Sequence, residues 1–426
     1  MNGGLCMVEM KSGYKMTEVG VIPEDWEVCE LRNHLVLLTD YDANGSFADM
    51  ASNVVTTTGN GYAWYVRATD LEQQSSLSEV KYVDEKSYRF LRKSTLYGGE
   101  VLLAKRGEIG NVYYFQMKTK RATLAPNLYL LKLKDTINSY FLFSLFKSTF
   151  GQNLLKSINA STSLGAIYKD DVKGLNILIP PFEEQASIAT ALSDVDSLIS
   201  ALTKKIEKKK AIKQGLMQQL LTGKKRLPGF GEKWVEIELG QHSIMNSGGT
   251  PSTANPEYYG GKIPFLSIND ITNAGKFIYE TEKTITEEGL KNSSARLFKK
   301  GTIMYAMYAS VGKCAITKIR ISCSQAILGI NVDSTLDADF LYYYLVSIQD
   351  DVLNYGQTGT QTNLSKQIIS SFILNVPSSK AEQTAIANIL SDCDSEIAAL
   401  EEKRDKYKEI KQGMMQQLLT GKIRLI

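Results

Sequence analysis

The sequence predicts an α+β molecule in which two globular blocks are separated and joined by two long helices, packed together as an antiparallel coiled coil in a pseudo-two-fold arrangement. Three observations predict it. Residues 185–227 recur at residues 383–425 with a constant offset of 198, no gap, and identity at most paired positions. Both copies are dominated by the straight-chain helix formers Ala, Leu, Lys, Gln, Glu and Met. The blocks before the copies have diverged, yet carry the same landmarks in the same order. These observations divide the chain into a first block at 1–181, a first helical region at 182–227, a second block at 228–379 and a second helical region at 380–426.

The blocks can be read element by element. Each opens on a tryptophan, Trp26 in IPEDWEVCEL and Trp234 in PGFGEKWVEIEL. A short strand ending in aspartate follows, up to Asp70 and Asp270. Next come glycine-led strand pairs from Gly99 and Gly301, then the aromatic helices INSYFLFSLFKS and LDADFLYYYLVS. A polar stretch leads to a last strand and a proline, Pro180 or Pro377. Short strands with glycine turns and one or two helices make a compact α+β globule of each block.

In the helical copies, Leu202, Ile206, Ile212, Leu216 and Leu220 form one apolar stripe, and Leu400, Tyr407, Ile410, Met414 and Leu418 the other. Asp194 or Asp196, and Asp392 or Asp394, are placed to cap the start of the main helix after a shorter one. Thr222-Gly223 and Thr420-Gly421 are stop signals. From Asp196 to Leu221 is 26 residues, a rod roughly 40 Å long. A single such stripe is poorly stable in water, and two in one chain cover each other by packing antiparallel.

Composition narrows the function classes. Hydrophobic residues at 43% and charged residues at 22% describe a folded protein with a net charge of +3. No apolar run reaches the 18 or so residues that span a membrane, and no secretory leader is evident, so the expected location is cytoplasmic. The five cysteines form no CxxC pair and there are two histidines, His34 and His242. Neither a disulfide framework nor a zinc site is expected.

Catalytic motifs fail on inspection. Asn255-Pro256-Glu257-Tyr258-Tyr259 is similar to an amino-methyltransferase loop but has glutamate for the second proline and no methyl-donor loop before it. Thr222-Gly223-Lys224-Lys225 lacks the upstream glycines of a phosphate loop. Glu409-Ile410-Lys411 has nuclease-like spacing but lies inside the helical repeat.

Two globules on a ruler suggest a reader of DNA. Readers about 40 Å apart match roughly one turn of the duplex, and diverged blocks should read different half-sites. The first block offers Arg67, Lys105 and Arg106, able to bond guanine or phosphate. The second offers Ser247, Thr250, Asn269, Tyr308, Gln361 and Asn363. The first helix is strongly basic between Lys204 and Arg226, and Lys209 and Lys213 are candidates for phosphate contact along the rod.

These features resemble the specificity subunits of type I restriction–modification systems. The residues that carry the resemblance are QGLMQQLLTGKKRLPGF (214–230) and QGMMQQLLTGKIRL (412–425), each preceded by Gln185 or Gln383 and an LSDxD. SGGTPS (247–252), Ile263-Pro264-Phe265 and Ser324-Gln325-Ala326 add to it. The resemblance implies a non-catalytic, sequence-specific subunit with two target-recognition domains, reading an asymmetric bipartite site in double-stranded DNA. It implies two modification subunits that bind S-adenosylmethionine and methylate adenine, and two restriction subunits that use ATP and Mg. It implies no metal and no cofactor on this chain, and no membrane. It also carries over Leu202, Ile206, Leu216, Leu220, Leu400, Tyr407, Met414 and Leu418 as spacer residues that help seat the modification subunit. Two departures stand out: LTDYDANGS from Leu38 replaces an SGGTP-like segment in the first block, and Arg404 stands where Ile206 does. The rival classes are a protein-binding scaffold built on a coiled coil, and a self-contained methyltransferase or nuclease.

Overall fold

The computed structural model describes residues 12–107, 109–159, 165–355 and 363–425. The chain forms two compact units that cut across its order: Met1–Leu202 with Lys403–Ile426, and Thr203–Glu402. Each therefore contains a globular block, part of one long helix, and part of the other.

The first unit holds a four-stranded antiparallel sheet in the order Val112–Tyr114, Val101–Ala104, Leu128–Leu133, Leu35–Asp40. A five-stranded sheet runs Thr56–Thr58, Lys81–Val83, Ala63–Val66, Ala122–Leu124, Thr95–Leu96, with a parallel pair where Ala122–Leu124 meets Trp64–Val66. The period of two along a strand divides the core. Leu128 and Leu130 pack with Trp64 and Phe115 in one cluster. Tyr129 and Leu131 join Trp26, Phe141 and Phe146 in another. That second cluster takes in Ile188 and Leu192 of the first long helix, Leu418 at the end of the second, and Leu419 just beyond it.

The second unit repeats this plan with one strand lost and another gained. Its sheets run Ser243–Ser247, Ile327–Val332, Ile303–Ala306, Cys314–Thr317, Phe277–Ile278, and Lys283–Ile285, Tyr259–Leu266, Ile321–Cys323, Leu297–Phe298. The parallel pair recurs between Phe265–Leu266 and Ser322–Cys323. Among the described residues Thr56–Thr58 has no strand counterpart, and Phe277–Ile278, which follows the helix Ile268–Asn273, pairs with Cys314–Thr317 in the other sheet. Ile303 and Tyr305 face the helical cluster while Met304 faces the opposite one.

The aromatic helices form as expected, at Ser139–Lys147 and Ala338–Ser347, capped by the side chains of Asn138 and Asp337. Two expectations are corrected. Asp70 and Asp270 do not end strands; each lies one turn into a short helix, where it accepts the backbone N–H of Arg67 or Ser267. The reason is the capping geometry, which favours a carboxylate at the third helical position.

The long helices are continuous, Phe182–Leu220 and Lys380–Leu418, 39 residues each, or about 58 Å at 1.5 Å per residue. No break falls at the LSDxD segments, because Asp196 and Asp394 have tertiary partners in place of a capping role. Tyr140 Oη and Lys411 Nζ both donate to Asp196; Tyr343 Oη and Lys213 Nζ donate to Asp394. Both helices end as predicted, with Gly223 and Gly421 at φ +70°. Ile212 and Ile410 are exposed. Six residues from Ile206 to Ile212 is not a helical repeat, and the position three residues on belongs to Lys209.

Candidate nucleic-acid interface

In the first unit the turn after Val101–Ala104 is braced from three directions. Lys105 N donates to Asn127 O at 2.8 Å, and Ile167 N donates to Lys105 O at 3.2 Å. Gly107 N donates to Gly165 O at 3.1 Å, and Arg106 bridges Ala166 in antiparallel fashion. From beneath, Gln152 Nε2 donates to Gly110 O at 2.8 Å. Gly107 and Gly110 adopt φ +91° and +101°, conformations that a side chain would strain.

The side chains at this turn divide sharply in availability. Lys105 turns inward to Asp40 at 2.9 Å and to Asp42. Lys169 reaches the other Asp40 oxygen at 2.7 Å, and both ammonium groups lie over the Tyr129 ring. Burial works to raise the Asp40 pKa, but the hydrogen bonds from Lys169 and Lys105 prevail and hold it below the usual carboxylate value. Burial likewise works to lower Lys105, and the bonds to Asp42 and Asp40 raise it above an ordinary lysine. Arg67 is committed to Asp70, through Nε at 3.1 Å to both carboxylate oxygens; this hydrogen bond raises its pKa. Arg106 is exposed and enters no ion pair among the described residues.

The second unit builds the same turn from other residues. Met307 N donates to Ala326 O at 2.9 Å and Leu364 N to Met307 O at 3.0 Å, so Met307 stands where Lys105 does. Tyr308 therefore matches Arg106, and Asn363, also exposed, matches Ala166. Gln349 Nε2 supports the turn through Val311 O at 3.3 Å. Ala309 and Ser310 replace the glycine and its neighbour, with φ +41° and +42°. Thr272 Oγ1 donates to Ser310 Oγ at 2.9 Å, which ties the turn to the short helix Ile268–Asn273 that carries exposed Asn269. The first unit makes the corresponding tie from Glu72 to Asn111 and Tyr113.

Ser247 ends its strand at the position of Asp40, and the glycines after it pack closely. A Cβ on Gly248 would lie 2.3 Å from the Cys323 carbonyl oxygen, and one on Gly249 2.3 Å from the Ser294 carbonyl carbon. The SGGTPS segment thus needs its glycines for packing of this chain, and it delivers Thr250 to the surface. Gln361 lies outside the described residues.

Along the helices, Lys209 pairs with Glu396 and Lys213 with Asp394. Lys204, Lys205, Lys208, Lys224 and Lys225 are exposed. Of the spacer residues, Leu202, Ile206, Leu220 and Leu418 are buried, whereas Leu216, Leu400, Tyr407 and Met414 are partly exposed. The positions 202, 206, 209, 213, 216 and 220 alternate steps of four and three, a heptad pattern whose two middle members are lysines.

The carboxylates that fasten one helical region to the other were not found in the sequence. Glu184, 1% exposed, accepts Arg424 Nε at 2.7 Å and Trp26 Nε1 at 2.9 Å. Glu382, equally buried, accepts Arg226 Nε at 2.7 Å. Both sit one residue before the repeat as aligned, and extending the alignment by one position would have found them. Asp40 and Lys169 carried no signal, since their meeting depends on sheet register. Among the described residues no helix is long and apolar enough to cross a membrane, and no group of three or more His, Cys, Asp or Glu side chains could hold a metal.

A family model described as the type I restriction modification DNA specificity domain matches the chain twice, over residues 23–214 and 231–412. A putative type I restriction enzyme MjaX specificity subunit from Methanocaldococcus jannaschii is 27% identical, over 97% of this chain and 97% of its own length. The MjaVIII specificity subunit of the same organism is 24% identical over 95% of this chain and 94% of its own. The S subunit of a type I restriction–modification system from M. genitalium has a similar fold, with TM-score 0.62 at 16% identity, covering 92% of this chain and 96% of that one. A chain from a structural study of type I system assembly and conformational transition gives 0.56 at 15% identity, covering 94% and 99%.

Proposed function

The chain belongs to the type I restriction–modification DNA specificity family and carries its recognition domain twice, and we propose that it reads an asymmetric bipartite target, one half-site per globular block. The chain is a specificity subunit, and the reaction it directs belongs to its partners. Two modification subunits would supply S-adenosylmethionine and methylate an adenine in each half-site; two restriction subunits would add ATP and Mg-dependent cleavage. The complex would act in the cytoplasm, on double-stranded DNA.

The observation that carries the reading is a reciprocal pair of ion pairs. Lys213 of the first helical copy meets Asp394 of the second, and the equivalent Lys411 of the second meets Asp196 of the first. Arg226 with Glu382 and Arg424 with Glu184 repeat the relation at the helix ends. The partner's number falls as the residue number rises, as it does in an antiparallel coiled coil with pseudo-two-fold symmetry. Such a frame supports blocks 1–181 and 228–379 as separate readers joined by spacer regions 182–227 and 380–426.

Within each reader the exposed groups at the braced turn and its surroundings are the candidates for base contact: Arg106 in one, Thr250, Asn269, Tyr308 and Asn363 in the other. Arg67, Lys105 and Ser247 shape that edge from below. Lys209 and Lys213 hold the helices together, while the exposed lysines beside them supply positive charge to phosphates. The partly exposed Leu216, Leu400, Tyr407 and Met414 offer apolar surface for the modification subunit beside buried Leu202, Ile206, Leu220 and Leu418.

Exchanging residues 229–379 for the matching block of another specificity subunit tests the reading. Base-resolution methylation mapping should show one half-site replaced and the other retained. A change in both half-sites contradicts modular recognition. A scaffold without base recognition would bind scrambled and genomic duplexes equally at raised salt.

A further inference from the structure

The two braced turns occupy one topological point in two diverged blocks, and the side chain each presents there differs in chemistry. We propose that Arg106 and Tyr308 are matched specificity determinants: Arg106 reads a guanine in one half-site, and Tyr308 fixes a base in the other. The inference rests on the bipartite reading above and names the residues that carry it.

Four features support Arg106. It follows directly on a residue whose backbone is fixed by exchange with Asn127 and Ile167. Its own segment bridges Ala166 in antiparallel fashion, which holds the backbone that carries the side chain. The neighbouring cations are already neutralised, Arg67 by Asp70 and Lys105 and Lys169 by Asp40. This leaves an exposed guanidinium on a rigid support, and its planar fork matches the O6 and N7 acceptors of guanine. Diffuse attraction to phosphate needs none of this bracing, whereas reading a base edge does.

The counterpart turn carries a cost that a plain surface loop would shed. Ala309 and Ser310 are adjacent left-handed residues, a conformation that disfavours residues with a Cβ by roughly 1 kcal/mol each. The strain is held by the Thr272 hydroxyl and by the exchange of Met307 with Ala326 and Leu364. It delivers Tyr308, 40% exposed, at the position of Arg106. With no net charge, Tyr308 acts through its ring face and one hydroxyl, so its half-site should not require the same base.

The test uses the full-length chain assembled with its modification subunits and a pool of duplexes randomised over both half-sites, with the bound fraction sequenced. Wild type should select two separated half-sites. Arg106→Ala should lose preference for one guanine by roughly 10- to 100-fold, in one half-site, with the other unchanged. Arg106→Lys, which keeps the charge, should retain overall affinity while losing most of that preference. Tyr308→Ala should relax a position only in the half-site that Arg106→Ala spares. Unfolding temperatures close to wild type would establish that the exposed substitutions leave the fold intact. The proposal is overturned if Arg106→Ala keeps every base preference, or if it weakens all sequences evenly with a shallower salt dependence, as a phosphate contact would. It is also overturned if Tyr308→Ala and Arg106→Ala alter the same half-site. A wild-type complex that selects a single uninterrupted site, or none, refutes the bipartite reading itself.

Discussion

The two units spend the same fold on different chemistry at the end of one strand. In the first, Asp40 is a buried carboxylate bridging Lys105 and Lys169 over Tyr129. In the second, Ser247 and Met307 take the places of Asp40 and Lys105, and the ionic cluster becomes an apolar one with a hydroxyl at its rim. The fastenings between the two helical regions show the opposite behaviour, since Glu184–Arg424 and Glu382–Arg226 are the same pair twice. The contrast separates what the duplication held fixed from what it let diverge. Groups that join the two copies of the repeat match each other, whereas groups at the end of this strand differ, as the proposed reading of unlike half-sites requires.

If the fastenings are equivalent, removing them should cost heavily in both units. Glu184→Ala leaves Arg424 short of a buried partner and orphans Trp26 Nε1, a loss of about 3–5 kcal/mol. Glu382→Ala should cost somewhat less, because Trp234 Nε1 is buried with no partner to lose. Denaturant unfolding followed by tryptophan fluorescence reads both variants; equal costs would show that the Trp26 bond adds nothing.

The glycines that end the helices should separate the units by a smaller margin. Both have φ +70°, so an alanine at either is strained by roughly 1 kcal/mol. At Gly421 the new Cβ would also lie 2.5 Å from Pro23 Cδ, whereas at Gly223 it would meet the Trp234 ring at 3.3 Å. Gly421→Ala should therefore lower the melting temperature more than Gly223→Ala. The reverse order would show that the proline yields more easily than the indole.

The ionic cluster should be partly convertible into its counterpart. Lys105→Met leaves Asp40 with Lys169 alone and should cost about 1–3 kcal/mol. Asp40→Ser in that background, which recreates the second unit's pair, should recover part of the loss. The pH dependence follows from the signs. Asp40 has a folded pKa below its ordinary 3.8, so its contribution is complete above that value and is lost as pH falls through the folded pKa. Lys105 has a folded pKa above 10.5, so its contribution is complete below that value and is lost as pH rises through the folded pKa. Stability differences between wild type and Asp40→Asn, measured from pH 6 down to about 3, should shrink as the solution becomes more acidic; a constant difference would show that the charge of Asp40 contributes nothing.

Much of this arrangement was legible in the sequence because the repeat is local and long. The helix formers, the TG stop signals and the aromatic helices all declare themselves within a few residues. What stayed hidden depends on partners far along the chain. Asp196 reads as a helix cap until Lys411 and Tyr140 are brought to it, and Lys213 reads as a candidate for phosphate contact until Asp394 faces it. Lys105 looked as available as Arg106, its neighbour; sheet register, invisible in one sequence, turns the first inward to Asp40 and leaves the second exposed. Arg67 and Asp70 are three residues apart and read as the end of a strand, although their spacing is that of a helix start.

The proposal that paired helices set the distance between two readers is tested by shortening both helices together. Removing residues 201–207 and 399–405 takes one heptad from each while leaving Asp196, Lys213, Asp394 and Lys411 in place. Seven residues amount to about 10.5 Å of helix, close to three base pairs. Methylation mapping should find both half-sites unchanged and the unread gap between them shorter by about three base pairs. An unchanged gap with altered half-sites would contradict the claim.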